Sequence, residues 1–286
     1  MKIDNFLVTI GLTLCLILPG KTIAAEANHH SLLTITFGVV PQQAASKLAR
    51  KWGPILTYLG KRTGYNFKFS TAKNIPIFEQ RLAAGRYDMA YMNPYHYTVF
   101  HRSPGYLAFA REKNKKIKGI IVVRKDSLAQ NLKSFEGKTL AFPAPAAFAA
   151  SVLPRAALKK RHIFITPKYV SSHDSVYRAV AMGLYPAGGG VMRTFYNMAP
   201  EVKKKLRILW TTKSYTPHAI AAHPRLSKEV IEKVQLAMGE LETNSEGRKM
   251  LANLNFKGIE LAHDAEWNDV RDLGIELLES LINKTE

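Results

Sequence analysis

The chain has 286 residues, and its 41 Lys and Arg against 22 Asp and Glu give a formal net charge of +19 at pH 7. The basic residues lie in short runs without interleaved aromatic side chains, which favours solvated surfaces and argues against nucleic-acid binding. Cys15 is the only cysteine, so disulfide bonds within the chain and thiolate zinc clusters are excluded.

Residues 1–25 have the pattern of a secretory signal peptide. Lys2 precedes an apolar run over residues 6–18, and the small pair Ala24-Ala25 supplies a cleavage position. The run is short for a helix that spans a membrane, and an uncleaved anchor is the alternative. We therefore predict a periplasmic protein that loses residues 1–25, and Cys15 with them, on export.

The next part of the chain alternates predicted strands and helices. Strands are predicted at 32–40, 65–69 and 87–92, and helices at 44–62, at 75–84 and from Pro94 onward. Alternation of this kind is typical of a parallel sheet, whose ligands bind at the carboxyl ends of its strands. The turns that follow the first and third strands should therefore face one crevice.

The pattern then changes to a second α/β unit and a helical end. Strands are predicted at 107–110, 119–124, 137–143, 168–171, 187–191, 206–210 and 218–222. Helices are predicted at 144–160, 172–182, 227–241, 245–254 and 265–282, and Ser227 and Asp264 are candidate N-caps.

The order of these elements predicts an α/β protein with two lobes. Residues 31–118 and 218–286 would form a discontinuous lobe 1, and residues 119–217 an inserted lobe 2. Two crossing segments would form the hinge, and a ligand would bind between the lobes.

Five segments carry a family resemblance: 37–41 (FGVVP), 88–94 (DMAYMNP), 135–139 (FEGKT), 172–176 (SHDSV) and 188–191 (GGGV). Their order and spacing resemble those of the phosphate/phosphite/phosphonate-type solute-binding proteins of ABC importers, over about residues 34–280. The resemblance implies the type II periplasmic-binding fold. It also implies capture of a small anion between the lobes and its delivery to an ABC permease in the inner membrane.

Lobe 1 offers polar and aromatic side chains where its predicted strands end. The candidate ligand-binding residues there are Gln42, Tyr91, Asn93, Tyr95 and His96. Aromatic walls and hydrogen-bonding tips orient a small ligand, so at least one of these side chains should line the cleft. His218, at the return crossing, is a weaker candidate.

Lobe 2 offers a helix start and a nearby cation. Ser171, Ser172 and His173 open a predicted helix whose backbone N–H groups can hold an anion, although both serines also fit as caps and His173 as a structural residue. Arg193 could pair with an oxyanion in a bidentate geometry. The glycines at 188–190 lack a phosphate-loop lysine pattern and predict close backbone approach.

The identity of the ligand stays open because the sequence departs from the family. The resemblance implies hydroxyl side chains at the helix start that follows the 137–143 strand, and this chain has Ala146-Ala147 there. Phosphonate, phosphite and phosphate are all retained. A sensory protein that partners a membrane histidine kinase is the alternative function.

A periplasmic enzyme on the same fold is the third possibility. His96 and His101 lack the spacing and the carboxylate of a zinc site, and sequence neighbours such as Ser172, His173 and Asp174 do not make a catalytic triad. We therefore predict no catalytic residue, no metal and no cofactor, and we expect a monomer.

Overall fold

A computed structural model describes Met1 and residues 32–283. The predicted signal peptide therefore lies almost entirely outside the described residues. In the described part, no helix combines the length and apolar composition that crossing a membrane requires. From Leu32 onward the chain forms one unit that contains two mixed sheets covered by helices.

Eleven strands are present in the described residues. They are β1 (Thr34–Val39), β2 (Asn66–Ser70), β3 (Met89–Met92), β4 (Leu107–Glu112), β5 (Gly119–Arg124), β6 (Thr139–Phe142), β7 (Thr166–Tyr169), β8 (Gly188–Val191), β9 (Leu206–Thr211), β10 (Ala219–Ala222) and β11 (Ile259–Leu261). The α-helices of the same part are α1 (Ala45–Thr63), α2 (Ile75–Ala83), α3 (Pro94–Arg102), α4 (Leu153–Lys160), α5 (His173–Ala181), α6 (Met192–Tyr196), α7 (Pro200–Lys203), α8 (Lys228–Gly239), α9 (Ser245–Leu254), α10 (Asn268–Arg271) and α11 (Glu279–Ile282).

The first sheet has the strand order β11-β4-β10-β3-β1-β2. Strand β1 pairs in parallel with β2 and β3, as the alternation of strands and helices predicts. Strand β10 pairs antiparallel with both β3 and β4. The sheet is therefore mixed. Strand β10 follows β9 of the other sheet and does not enter through a βαβ crossover.

The second sheet has the order β7-β6-β8-β5-β9, with β6 parallel to β7 and β8, and β5 antiparallel to β8 and β9. All its strands come from residues 119–211, whereas the first sheet uses strands on both sides of that range. Residues 113–118 and 212–218 therefore connect the sheets. The lobe boundaries at 118/119 and 217/218 remain predictions, as does hinge motion about them.

Helix α1 shows why the predicted helices form. Its apolar residues Trp52, Ile55, Leu56 and Leu59 recur at helical spacing and are buried. Gly64 ends the helix with φ 73°, in the left-handed region that glycine adopts without strain.

The three glycines of β8 are explained by close packing. A Cβ atom on Gly189 would lie 1.9 Å from the Ala150 carbonyl oxygen, and one on Gly190 would lie 2.1 Å from the Tyr177 hydroxyl. The predicted close approach of backbone is therefore confirmed. A side chain at either position would separate β8 from the helices that cover it.

The predicted helix at 144–160 begins later than expected. Residues 144–147 form a turn, a π-helical turn covers Phe148–Val152, and only then does α4 start. Strand β7 ends two residues earlier than predicted, since Ser171 has φ 74° and leaves the extended conformation.

The C-terminal region differs most from the prediction. The predicted helix at 265–282 is broken into a 3₁₀ turn, α10 and α11, with Gly274 at φ 57° between the two helices. Asp264 is not an N-cap, because His263 caps the turn and Asp264 accepts a 2.7 Å hydrogen bond from the Tyr97 hydroxyl. Ser227 does cap its helix, and β11 was not predicted.

Candidate functional site

The carboxyl ends of β1 and β3 face the starts of α5 and α6 across a cleft. The His173 backbone N–H donates to the Gln42 carbonyl over 3.1 Å, and the Asn93 Nδ2 amide donates to the Ala146 carbonyl over 3.4 Å. Each of these bonds joins a residue beside the first sheet to a residue beside the second sheet. The cleft is therefore closed by direct contacts.

Arg193 lies at the centre of this closed cleft. It sits in the first turn of α6, directly after β8, and its Nη2 atom donates a 2.7 Å hydrogen bond to Gln42 Oε1. Its guanidinium carbon lies 5.6 Å from the ring centroids of both Tyr91 and Phe256. An amide and two aromatic rings thus hold the cation, and all three are neutral.

Gln42 also forms a hydrogen bond to His218. Gln42 Nε2 lies 3.0 Å from His218 Nε2, and an amide N–H can only donate, so this imidazole nitrogen is the acceptor. The His218 ring stacks on Tyr91 with centroids 4.9 Å apart and planes 15° apart. Burial, together with the charge of Arg193, lowers the pKa of His218 well below its usual value, so this ring stays neutral.

His173 connects α5 to α6 beneath the cleft. Its Nδ1 atom lies 3.0 Å from the Thr194 hydroxyl, which also lies 2.8 Å from the Tyr177 hydroxyl. Burial, with a smaller effect of Arg193, lowers the pKa of His173 to about 3. His173 is therefore neutral near pH 7.

Two backbone N–H groups at the start of α5 already have hydrogen-bond partners within the protein. Ser172 Oγ accepts a 3.1 Å bond from the Ser175 N–H, so Ser172 is the helix cap. The His173 N–H is occupied by the Gln42 carbonyl. Ser171 is solvent-exposed and makes no contact with Arg193 among the described interactions. These serines lie beside the cleft and not in the Arg193 cluster.

Tyr95 and His96 have hydrogen-bond partners on the first sheet's side of the cleft. The Tyr95 hydroxyl accepts a 3.0 Å bond from the Leu278 N–H, and His96 Nε2 lies 2.9 Å from Glu79 Oε1 in a buried pair. Asn93 caps α3 by accepting a bond from the His96 N–H and also reaches across the cleft. The structure thus brings Gln42, Tyr91, Arg193, His173 and His218 together and leaves Tyr95 and His96 in the first sheet's interior.

A cavity of about 250 Å³ opens beside Arg193. Its lining includes Tyr91, Glu112, Lys115, Lys116, Lys118, Arg193 and His218. The lysines belong to the 113–118 connection, a basic run whose sequence alone favours a solvated surface. Only the placement of that run between the sheets reveals that its side chains reach the cleft.

The Ala146-Ala147 turn contributes packing to the cleft. Both alanines are buried against the core of the first sheet, and Ser151 is the first hydroxyl residue after them. Positive charge beside the cavity comes from Arg193 and the three lysines. Among the described residues, no group of three His, Cys, Asp or Glu side chains could hold a metal ion.

Comparison with known proteins identifies the family. A sequence model described as "ABC transporter, phosphonate, periplasmic substrate-binding protein" matches residues 37–267. The phosphate-import protein PhnD of Mycolicibacterium smegmatis is 24% identical in an alignment 234 residues long, and the match covers 71% of this chain and 70% of that protein.

Two solved structures share the fold. A binding-protein component of an ABC phosphonate transporter from Pseudomonas aeruginosa has a TM-score of 0.78 at 18% identity, covering 85% of this chain and 86% of that one. PhnD1 of Prochlorococcus marinus, in complex with methylphosphonate, has a TM-score of 0.76 at 16% identity, covering 84% and 97%. The predicted type II periplasmic-binding fold is confirmed, and the chain belongs to the phosphonate family of periplasmic substrate-binding proteins of ABC transporters.

Proposed function

We propose that this chain binds a small oxyanion of the phosphonate, phosphite or phosphate class beside Arg193 and delivers it to an ABC permease. The observation that carries the proposal is the setting of Arg193. Its hydrogen-bond and ring partners, Gln42, Tyr91 and Phe256, are neutral, and no carboxylate of the described chain forms an ion pair with it. A guanidinium held in this way can form charge-assisted bonds to a ligand.

The surrounding charge favours the same class of ligand. Lys115, Lys116 and Lys118 line the cavity with Arg193, and Glu112 is the one acidic residue in the described lining. A recess with an excess of positive charge and walls of low polarity strengthens the field that attracts an anion. The two histidines at the site are neutral, so this attraction does not depend on imidazole protonation.

Gln42 occupies the position that we assign to a ligand oxygen. Its Oε1 atom accepts from Arg193 as an anion would, but a neutral amide makes the weaker bond. We propose that the two sheets are the cores of the predicted lobes, which open about residues 113–118 and 212–218. A bound anion would then favour the closed state, which the permease recognises.

We also propose that the protein is a monomer without catalytic activity. The only hydroxyl within hydrogen-bond distance of His173 in the described chain is that of Thr194, and it donates to the Val191 carbonyl over 3.1 Å. This hydroxyl also lies 2.8 Å from the Tyr177 hydroxyl, so its contacts are those of a structural residue that joins α5 to α6. Mass spectrometry of a bound phosphonate after long incubation should recover the ligand unchanged.

Calorimetric titration of residues 26–286 with methylphosphonate, phosphite and phosphate tests the binding proposal. We expect at least one of them to bind, and Arg193→Gln to weaken its binding by roughly 100-fold, as expected when one partner of a buried charge-assisted bond is removed. Arg178→Gln is the matched control, because Arg178 is exposed on α5, and it should bind as the wild type does. Equal affinities for all three proteins would overturn the assignment of Arg193.

A further inference from the structure

The second sheet and its helices carry most of the protein's excess positive charge. Residues 119–217 contain 16 Lys and Arg and only 4 Asp and Glu, a formal net charge of +12. The other described residues from Leu32 onward have 22 Lys and Arg against 15 Asp and Glu, and many of these form ion pairs such as Lys113 with Glu242. Within the described range 119–217, only Arg124 and Asp126 form an ion pair. Unpaired like charges repel one another and favour contact with an anionic surface.

One end of the second sheet gathers many of these cations. Strand β5 runs antiparallel to β8 and β9, and β6 and β7 run parallel to β8, so β5 ends where the other four strands begin. We call the turns at this end the basic pole: residues 124–128, 131–138, 161–165, 183–186 and 203–205. Strand β8 runs from this end to Arg193, so the pole and the cleft lie at opposite ends of the strand.

Hydrogen bonds hold the turns of the basic pole together. The Lys125 N–H donates to the Lys205 carbonyl, and the Gly137 N–H donates to the Phe164 carbonyl, each over 2.8 Å. Neighbouring turns are therefore fixed against each other by their backbones. Their charged side chains share one surface.

The charge of the basic pole is not neutralised from within. It has eight Lys and Arg against two acidic residues, a formal net charge of +6. Asp126 pairs with Arg124, and the Glu136 carboxylate accepts a 3.1 Å bond from the Phe164 N–H. The cations are Arg124, Lys125, Lys133, Lys138, Arg161, Lys203, Lys204 and Lys205, and all but Lys203 are exposed.

Exposed apolar side chains lie in the same turns. Leu128, Phe164 and Leu184 are 95%, 63% and 65% exposed. Cations alone are enough to bind the phosphates of nucleic acid, and such binding gives these apolar side chains no contact. Cations that attract anionic headgroups, together with apolar side chains that enter the acyl boundary, are the combination that binds a lipid surface.

We propose that the basic pole binds the surface of a bilayer that contains anionic phospholipids. Its cations contact the headgroups, and Leu128, Phe164 and Leu184 enter the boundary between headgroups and acyl chains. This contact leaves the Arg193 cleft clear, because the two lie at opposite ends of β8. The proposal goes beyond the proposed function and does not depend on which anion the cleft binds.

Cosedimentation of residues 26–286 with lipid vesicles tests the proposal. These residues include the whole unit that begins at Leu32, and they omit the apolar run at 6–18, which would bind lipid by itself. At about 0.1 M salt we expect binding to vesicles of about 30% phosphatidylglycerol in phosphatidylcholine and none to pure phosphatidylcholine. Binding should weaken about tenfold or more at about 1 M salt, where the Debye length falls to about 3 Å.

Removal of charge from the basic pole should weaken this binding. Each cation near an anionic surface contributes a factor of about five, so the double variant Lys204→Gln/Lys205→Gln should bind the vesicles about 25-fold more weakly. Lys68→Gln/Lys73→Gln is the matched control, since it removes the same charge from exposed positions beside the first sheet. It should bind as the wild type does.

Removal of an apolar side chain separates a bilayer from other anionic partners. Leu128→Gln should weaken vesicle binding by about tenfold, because a partly buried leucine is lost. Leu236→Gln, at a residue of α8 that is 69% exposed, is the control and should bind as the wild type does.

Two outcomes would overturn the proposal. The first is a wild type that does not distinguish the two vesicle compositions, or pole variants that bind as well as the wild type. The second is full vesicle binding by Leu128→Gln together with equally tight binding of the wild type to double-stranded DNA, which would assign the pole to anionic polymers. Arg193-dependent binding of methylphosphonate, phosphite or phosphate is measured separately and stands in either case.

Discussion

The start of α5 and the start of α6 both have features of an anion site, and only the start of α6 presents its donor to a cavity. At α5, the Ser172 side chain and the Gln42 carbonyl already take up the Ser175 and His173 N–H groups. At α6, the Arg193 guanidinium rests on neutral partners and faces a cavity. The difference teaches that donor chemistry in a sequence marks a binding site only where the fold presents the donors to a cavity and gives them no charged partner.

The position of α6 depends on close packing against the glycines of β8, and Gly189→Ala should disrupt that packing. The added Cβ atom would lie 1.9 Å from the Ala150 carbonyl oxygen, so backbone must move. We expect a loss of about 3 kcal/mol or more in the free energy of unfolding, measured by urea denaturation.

Gly239→Ala is the matched control for that substitution. Gly239 is the last residue of α8, with φ −63° and ψ −35°, and a Cβ atom there meets nothing within 4 Å. Alanine should stabilise the helix by about 0.5–1 kcal/mol. A Gly189→Ala protein as stable as the wild type would show that the helices on β8 can shift freely.

His173 joins the two helix starts, and its depressed pKa of about 3 makes that connection sensitive to acid. Between pH 6.5 and about 3, the unfolded chain binds a proton at this position that the folded chain does not. Stability should therefore be fully present above pH 6.5 and decline below it, by about 1.4 kcal/mol per pH unit.

Urea denaturation of His173→Asn from pH 7 to pH 4.5 measures this contribution. The variant should lose stability less steeply than the wild type over this range. The two slopes should differ by up to about 1.4 kcal/mol per pH unit, which corresponds to one bound proton. Substitution of the exposed, positive-φ His162 by asparagine is the comparison, and it should leave the wild-type slope unchanged. Parallel slopes for wild type and His173→Asn would contradict a buried neutral imidazole.

Ser172→Ala sharpens the comparison from the α5 side and has the smallest expected effect. Loss of the cap should lower the free energy of unfolding by about 1 kcal/mol. Anion affinity measured by calorimetry should change by less than about twofold, because Ser172 lies outside the Arg193 cluster. A tenfold change would need about 1.4 kcal/mol. A large loss of affinity with unchanged stability would instead place Ser172 in the ligand's contact shell.

Local patterns predicted most of the regular elements. The spacing of Trp52, Ile55, Leu56 and Leu59 indicates α1, and Gly64 marks its end, because amphipathic period and capping are properties of neighbouring residues. The C-terminal region was predicted poorly. Its helical spacing continues through Gly274, but the backbone turns there with φ 57°, and the Leu278 N–H then donates to the Tyr95 hydroxyl.

The candidate site was predicted in part. Arg193, His173, Gln42 and Tyr91 were named from strand ends and helix starts, and the fold brings them together. Phe256 was missed because it follows the end of α9, where neither a predicted strand end nor a helix start marks a candidate site.

The amino-acid sequence by itself determined the α/β class and the family resemblance, because both depend on local periodicity and on the order of motifs along the chain. Tertiary structure alone decided which of the candidate donors face a cavity. It paired the α5 start with Gln42 and left Arg193 beside a cavity. It also turned the 113–118 run toward that cavity, since pairing and burial depend on residues that meet only when the two sheets close on each other.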